Sequence, residues 1–344
     1  MSEDISAEVS RLRSRYDRLR RDGTLADETR EMGDTATTVA GLPGTIEQLR
    51  GRGYAFAGYL TSRAQQLQTQ WAEVRGRVEA QIRQESDHLR SEIGQLDAMM
   101  SKLDPANAKL VGSVIARVEP VIDRLENDLK AAQERIAGVY GSVAKDAAEI
   151  KKQLGKFNWY MDMAGEADFE FNATEAVYIV AKGEWVKTGK GKQDPDGLFY
   201  LTDQRFIFER KEKEGGFLGF GGKKVQGIEW EVPLSAIANV SSEKKGLFGG
   251  KDMVYLTISG GGPAPEVTIE VKGDVKANWY AQQLQRAIAG EIDHERALEP
   301  DPEVVEAVRN APTACPNCGA PFSTPITRGM TQIACEYCGT VTRI

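Results

Sequence analysis

Histidine and cysteine are scarce in this chain, and long apolar runs are absent. Only two histidines, His88 and His294, occur in 344 residues, far apart and in unlike surroundings. Imidazole acid–base chemistry therefore has little to work with. No apolar run approaches the ~20 residues that a membrane-crossing helix needs. Nothing at the N-terminus resembles a signal peptide, so the expectation is a cytoplasmic protein whose membrane contact is at most peripheral, at the inner face. A formal net charge of −7 argues against bulk nucleic-acid binding and leaves only a local basic patch open. No Ser-His-Asp, Cys-His or metal–carboxylate constellation is visible, and no glycine-rich phosphate loop, so an enzyme is not expected. The apolar content of 41% and charged content of 28% fit a chain with long charged helices, and the length leaves room for two or three units.

The few cysteines are concentrated. All four lie in the last thirty residues, as Cys315-Pro-Asn-Cys318 and Cys335-Glu-Tyr-Cys338 with sixteen residues between the pairs. Each short Cys-x-x-Cys turn can aim two sulfurs at one ion, and two such turns complete a tetrahedral structural zinc site. Gly319 and Gly339 follow the second cysteine of each pair, where the chain must turn away from the metal. The intervening Pro321–Ala334 suits a β-hairpin, so residues 313–344 read as a zinc ribbon holding one structural zinc. Two disulfides would need an oxidising compartment, and a redox pair would need one poised Cys-x-x-Cys, not two matched ones. Nucleic-acid binding by the ribbon would rest on Arg328 and Arg343 alone, against Glu336, which is a thin footprint for phosphates.

Upstream, the periodicity is helical to about residue 162. Apolar residues at three- and four-residue steps run from Ile46 through Leu60, Trp71, Val78, Leu89 and Met100 to Leu103. Asp104-Pro105 then stops that arm and starts another. In the second arm Leu110, Val121, Ala132, Val143 and Leu154 recur every eleven residues, as do Val114, Leu125, Ile136 and Ala147. An eleven-residue repeat predicts a nearly straight helix, and each arm would span on the order of 75–90 Å. Residues 24–162 thus read as a long antiparallel helical hairpin or coiled coil that self-associates, with a local kink at Pro120 and a broken connection over residues 24–45. Residues 1–23 read as a separate basic amphipathic helix, with Ile5, Val9, Leu12, Tyr16 and Leu19 on one face and Arg11, Arg13, Arg15, Arg18, Arg20 and Arg21 on the other. Such a helix suits either an anionic membrane surface or a bundle.

Between residues 168 and 290 the period changes to alternation. Ala176–Ala181, Glu184–Lys190, Leu198–Leu201, Arg205–Arg210, Val225–Val232, Ile237–Ser242, Met253–Ser259 and Val267–Lys272 read as strands separated by turn signals. A helix over Val275–Ala289 closes the unit, with Trp279, Leu284 and Ile288 expected inside. The segment Gly197-Leu-Phe-Tyr-Leu-Thr-Asp-Gln-Arg-Phe-Ile-Phe208 resembles the signature of GRAM and bacterial PH domains, and Val232-Pro-Leu-Ser-Ala-Ile237 is similar to a second family segment. The resemblance implies a PH-like β-barrel with a C-terminal helix. The order of parts also looks like that of bacterial proteins linked to membrane stress. Residues 291–312 read as an acidic, proline-bearing linker. The fold class expected is multidomain α plus β: helical hairpin, PH-like barrel and small zinc ribbon.

Two loops of the barrel are alike. Gly215–Lys224 carries Phe217, Leu218, Phe220, Lys223 and Lys224, and Lys244–Lys251 carries Lys244, Lys245, Leu247, Phe248 and Lys251. A third loop adds Lys187, Lys190 and Lys192. Loops after alternate strands of a meander open at one end, so the three are expected to share a rim. Apolar wedges ringed by lysines suit an anionic bilayer, at roughly 1 kcal/mol per lysine near the surface. The same loops also suit packing onto the barrel or a protein partner. The expected function is a non-enzymatic adaptor that docks on an anionic lipid surface. A soluble protein-binding scaffold, or a zinc-ribbon factor associated with nucleic acid, stand as the alternatives.

Overall fold

A computed structural model describes residues 2–104, 108–190, 193–214, 223–246 and 250–344. The described chain divides into two compact units, Met1–Thr45 with Leu60–Gln153 and Ile46–Tyr59 with Leu154–Ile344. Four helices precede the sheet: α1 Ser2–Asp22, α2 Ala26–Gly51, α3 Tyr59–Met100 and α4 Ala108–Gly165.

In the first unit α3 and α4 are antiparallel. Arg63 pairs with Asp146, Trp71 packs edge-on against Tyr140, Arg135 meets Glu85, and Arg124 meets Glu92, so α4 numbers fall as α3 numbers rise. A third rod lies alongside. Arg15 of α1 reaches Asp123 at 2.6 Å and Glu126 at 2.9 Å, the Tyr16 hydroxyl meets Asp97, and Gln133 of α4 donates to Glu28 of α2 at 2.7 Å. The unit is therefore a three-membered bundle in which α1 and the start of α2 act as one interrupted rod. The antiparallel hairpin is present as α3 and α4, and α1 with the start of α2 adds a third member to it.

Three of the six arginines of α1 serve this packing: Arg11 and Arg15 are held by carboxylates of α4, and Arg13 donates to the Leu103 carbonyl at 2.6 Å. Of the two readings of that helix, the bundle is the one observed. The break between α1 and α2 falls at Gly23, where an added Cβ would stand 2.7 Å from Ile93 of α3 and 2.8 Å from the Leu19 carbonyl. Only glycine allows that approach.

Two expectations about the helices change. Residues 26–45 belong to one continuous helix despite Gly33, Gly41, Pro43 and Gly44, because Val39, Leu42, Ile46 and Leu49 form a buried stripe that outweighs poor propensity. The first arm is not continuous to residue 103, since the chain leaves the helix after Gly51 and re-enters at Tyr59. Helix α4 runs on through Pro120, whose ring is exposed. The eleven-residue recurrence holds for Leu125, Ile136 and Ala147 and for Ala132, Val143 and Leu154, all buried. Earlier in α4 the buried residues are Val111, Val118 and Ile122, and Leu110 is 60% exposed.

The second unit is built on a seven-stranded antiparallel sheet in the order β4-β3-β2-β1-β7-β6-β5. Its strands are β1 Val177–Trp185, β2 Asp196–Thr202, β3 Arg205–Glu214, β4 Lys223–Pro233, β5 Ile237–Lys245, β6 Lys251–Ile258 and β7 Glu266–Val271, closed by α5 Ala277–Ile288. This order with one closing helix is the PH-like arrangement that the resemblance implied. The two strands expected over Ala176–Lys190 are one, β1, which hands over from β2 to β7 near Gly183. An added Cβ there would meet the Glu270 carbonyl at 2.5 Å and the Phe199 ring at 2.6 Å. Phe199, Phe206, Phe208, Trp230 and Tyr280 fill the interior, with Phe199 stacked on Phe208 at 4.5 Å. Trp279 points outwards instead of inwards, and Tyr280 with Leu284 takes the buried face of α5.

The segment between α2 and α3 is part of this core. Tyr54 and Phe56 are fully buried: Tyr54 stacks on Phe157 at 4.7 Å, and Phe56 meets Tyr178 edge-on. Arg50 caps the carbonyls of Tyr54, Phe56 and Ala57. Residues 291–312 are not a free linker. A 3-10 turn covers Glu291–Glu295, the Ala297 and Gly58 amides bond to the Ala55 and Glu295 carbonyls at 2.7 and 2.8 Å, and α6 Pro302–Asn310 begins at an Asp301 cap. Backbone groups that a linker would leave to water are paired to the core segment. The C-terminal hairpin, β8 Gln332–Ala334 and β9 Val341–Arg343, completes the unit.

Arg135 holds the Glu85 carboxyl below its ordinary value of 4.5, and Arg15 does the same for Glu126. Folded values below unfolded ones give a stabilisation that is full above the unfolded value and lost as pH falls through the folded ones. Helix melting should therefore move to lower temperature between about pH 5 and about pH 3, and Glu85→Gln should reduce that shift. A wild-type midpoint that does not move over this range would contradict the assignment.

Candidate metal centre

Two turns of matching geometry build the cysteine site. In the first, the Gly319 amide bonds to the Cys315 carbonyl at 2.9 Å and the Cys315 amide to the Ala320 carbonyl at 2.8 Å. In the second, Gly339 bonds to Cys335 at 2.9 Å and Cys335 to Thr340 at 2.9 Å. Gly319 and Gly339 have φ of 73° and 74°, the left-handed conformation that a side chain would strain. The four Sγ atoms lie within 4.8 Å of one another, and no disulfide joins them. Cys315–Cys338 and Cys318–Cys335 are each 3.6 Å apart. Tetrahedral thiolate coordination at ~2.3 Å places sulfurs roughly 3.8 Å apart, so the donor set fits a metal ion of that kind.

The electrostatics agree with the geometry. The Thr340 hydroxyl, 3.2 Å from Cys338 Sγ, helps hold that thiol down at about 6, with its own amide and the Asn317 side chain adding to the effect. At Cys318 the Ala320 amide favours the thiolate, but the neighbouring sulfurs override it and push the thiol up to about 12. Crowded thiolates repel one another, and a bound cation removes that repulsion. With all four sulfurs used, the centre leaves no protein-free coordination position for a reactive water.

The ribbon seats on the barrel. Residues 171–173, which lead into β1, form an antiparallel bridge at Asn172 and Thr327: the Ala173 amide donates to the Ile326 carbonyl at 2.9 Å, and the Arg328 amide to the Phe171 carbonyl at 3.0 Å. The Arg328 guanidinium lies 5.2 Å over the Phe171 ring and donates to the Glu175 carbonyl.

Beneath this seat is the turn that carried the family resemblance. The Glu175 carboxylate has no exposure and takes Arg205 Nε at 3.0 Å and Nη2 at 2.9 Å. The Thr202 hydroxyl donates to it at 2.7 Å and accepts the Arg205 amide at 2.9 Å. Asp203 exchanges backbone and side-chain bonds with Ala176 and is paired with Arg296, although burial still raises its carboxyl above the ordinary range. The polar residues of that segment therefore organise the chain ahead of β1. Phe206 and Phe208 of that segment point into the interior, whereas nothing in periodicity marks Glu175, Arg296 and Arg328 as partners.

The loop residues separate. Phe217, Leu218, Phe220, Lys192, Leu247 and Phe248 lie outside the described residues. Strand sense nevertheless fixes where the loops leave the sheet. β3 has the sense of β1, whereas β5, three antiparallel pairings away through β7 and β6, has the opposite sense. The connections after β1 and β3, with Lys190, Lys223 and Lys224 beside them, therefore leave at one end. The connection flanked by Lys244, Lys245 and Lys251 leaves at the other. The expected common rim of three loops is corrected to two, because β4 and β5 are not paired as neighbours of a simple meander. Lys245 pairs with Glu243 and covers Tyr255, and Lys251 pairs with Glu270 at 2.6 Å.

A recess of about 360 Å³ lies beside β1 and β2, lined in part by Met163, Lys182, Leu198, Lys211 and Lys272. Lys211 is held by Glu166, Lys272 by Glu184 and Asp196, and Lys182 lies over the Trp159 ring.

No protein-family model matches the chain, and no curated protein matches it. Among solved structures, a pleckstrin homology domain from Shewanella amazonensis is 16% identical, with 38% of this chain and 96% of that one covered and a TM-score of 0.23. A protein with a pleckstrin-homology domain from Shewanella loihica is 17% identical over 39% and 90%, with a TM-score of 0.22. The DH/PH domains of PDZ-RhoGEF, solved with GTP-gamma-S activated RhoA, are 13% identical over 83% and 92%, with a TM-score of 0.25. Scores this low carry no functional argument, and the fold assignment rests on the strand order and closing helix.

Metal analysis of the purified chain should return one equivalent, and Cys318→Ser should abolish stable retention. A metal-free protein with two native disulfides would overturn the site.

Proposed function

We propose that the chain is a non-enzymatic adaptor that carries one structural zinc and docks on an anionic membrane surface through the end of the barrel where β1 and β3 exit. The observation that carries the docking reading is the shared exit: Lys190 follows β1, and Lys223 and Lys224 open β4, at the same end of the sheet. The sequence between β3 and β4 adds Phe217, Leu218 and Phe220. Lysines of this kind meet headgroups, and aromatic rings enter the interface. No helix among the described residues is long and apolar enough to cross a membrane, so contact of this kind would be peripheral.

The filled barrel interior and the four-sulfur centre both favour binding over catalysis. Zinc is the ion that an all-thiolate site of this spacing suits best. Self-association enters the proposal only as contact between already covered bundles, since the apolar stripes are buried within one chain.

A protein-binding scaffold is the second reading, favoured by Tyr337 and Val341 of the ribbon, which are 77% and 56% exposed. A nucleic-acid role recedes further, because Arg328 already serves the seat on the barrel.

Co-sedimentation with vesicles separates the readings. The adaptor should bind anionic vesicles and not neutral ones, lose binding as salt rises, and bind at least about tenfold more weakly when Phe217 and Phe220 are changed to Ser. Equal recovery with and without anionic vesicles would refute membrane docking and leave the scaffold.

A further inference from the structure

The ribbon has almost no core of its own. Its strands β8 and β9 are three residues each, and its buried apolar and sulfur residues are Cys315, Ile333 and Cys335. An assembly so small does not hold its shape by apolar burial, and metal binding then supplies the folding free energy. The turn that touches the barrel, residues 326–330, runs directly into β8 and on to Cys335. It is closed by the Met330 amide on the Thr327 carbonyl at 3.2 Å, with Gly329 at φ 77°.

On the barrel side, the groups that hydrogen-bond to this turn are backbone. The Ala173 amide and the Phe171 carbonyl have the ribbon as their partner, at 2.9 and 3.0 Å, and Arg328 covers the Phe171 ring. Asn172, between them, is tied inwards by its amide to Glu175 at 2.8 Å and by its side chain to Gln204 at 2.9 Å. The stretch at 171–173 is thus a short strand edge held rigid from below by the Glu175–Arg205 pair and covered from above by the ribbon.

We propose that the ribbon is a metal-dependent latch: metal occupancy at the four cysteines decides whether the backbone edge at residues 171–173 is covered or open. The latch rests on the zinc reading above. Losing the ion frees the 326–330 turn, and the Ala173 amide then meets water while the Glu175–Arg205 pair stays in place. Arg328 is the positioning residue, since it reaches the barrel without being part of the metal site.

The test is amide hydrogen exchange on the full chain, with metal content measured in parallel. With metal bound, the Ala173 and Arg328 amides should be protected. Chelation should speed their exchange at least tenfold and leave amides of β2 and β3 protected. Arg328→Ala should speed exchange at Ala173 while one metal per chain is retained. Protection of Ala173 that survives chelation of a metal-loaded chain would overturn the latch alone. A chain that purifies without metal and still protects Ala173 would overturn both the latch and the zinc reading.

Discussion

A carboxylate without access to water needs partners, and at the β2–β3 turn of the second unit Arg205 supplies them to the fully buried Glu175. Ionised groups in a protein interior are tolerated only when paired and fully hydrogen-bonded. Here Arg205 meets Glu175 through two nitrogens and also donates to the Glu170 carbonyl and Glu231. Thr202 supplies a further donor to the carboxylate. The pair fastens the chain ahead of β1 onto the β2–β3 turn. Asp203 extends the same fastening to Ala176 and, through Arg296, to the residues that follow α5. The ribbon sits on the outer face of that fastened segment. A turn whose spacing looks like a family signature thereby acts as a joint, not as a ligand site.

Much of this architecture was legible in the residues themselves. The four cysteines and their glycines define two turns that leave little conformational choice, and the geometry follows the spacing. Alternation between residues 176 and 272 placed every strand of the sheet, although the two segments on either side of Gly183 are one strand. Buried stripes on α3 and most of α4 followed the three- and four-residue steps, because a helix face is a local property.

What was hidden is non-local. Gly41, Pro43 and Gly44 read as breakers, yet they stand on the exposed side of α2, where the buried stripe opposite decides the outcome. Phe56 looks like a step of a helical stripe and instead enters the core of the second unit beside Tyr54. The acidic run after residue 290 looks solvated, but backbone bonds to residues 55 and 58 hold part of it in place. The arginines of α1 look like a membrane face until Glu119, Asp123 and Glu126 arrive from over a hundred positions away. Charge pairs at such separation leave no periodic trace. The loop rim failed for a topological reason: antiparallel sense has to be counted through the paired order of strands, and sequence order gives the wrong parity for β5.

The central claim is that the Glu175–Arg205 pair holds the second unit together, and a double-mutant cycle of Glu175→Gln, Arg205→Met and the double variant measures it most directly. Unfolding would be followed by tryptophan fluorescence, since Trp185 and Trp230 lie in the barrel core. Arg205→Met should cost about 3–5 kcal/mol by stranding the buried Glu175, Glu175→Gln should cost less because Arg205 keeps Glu231 and the Glu170 carbonyl, and the double variant should cost clearly less than their sum. Single losses below about 1 kcal/mol that simply add would contradict the account.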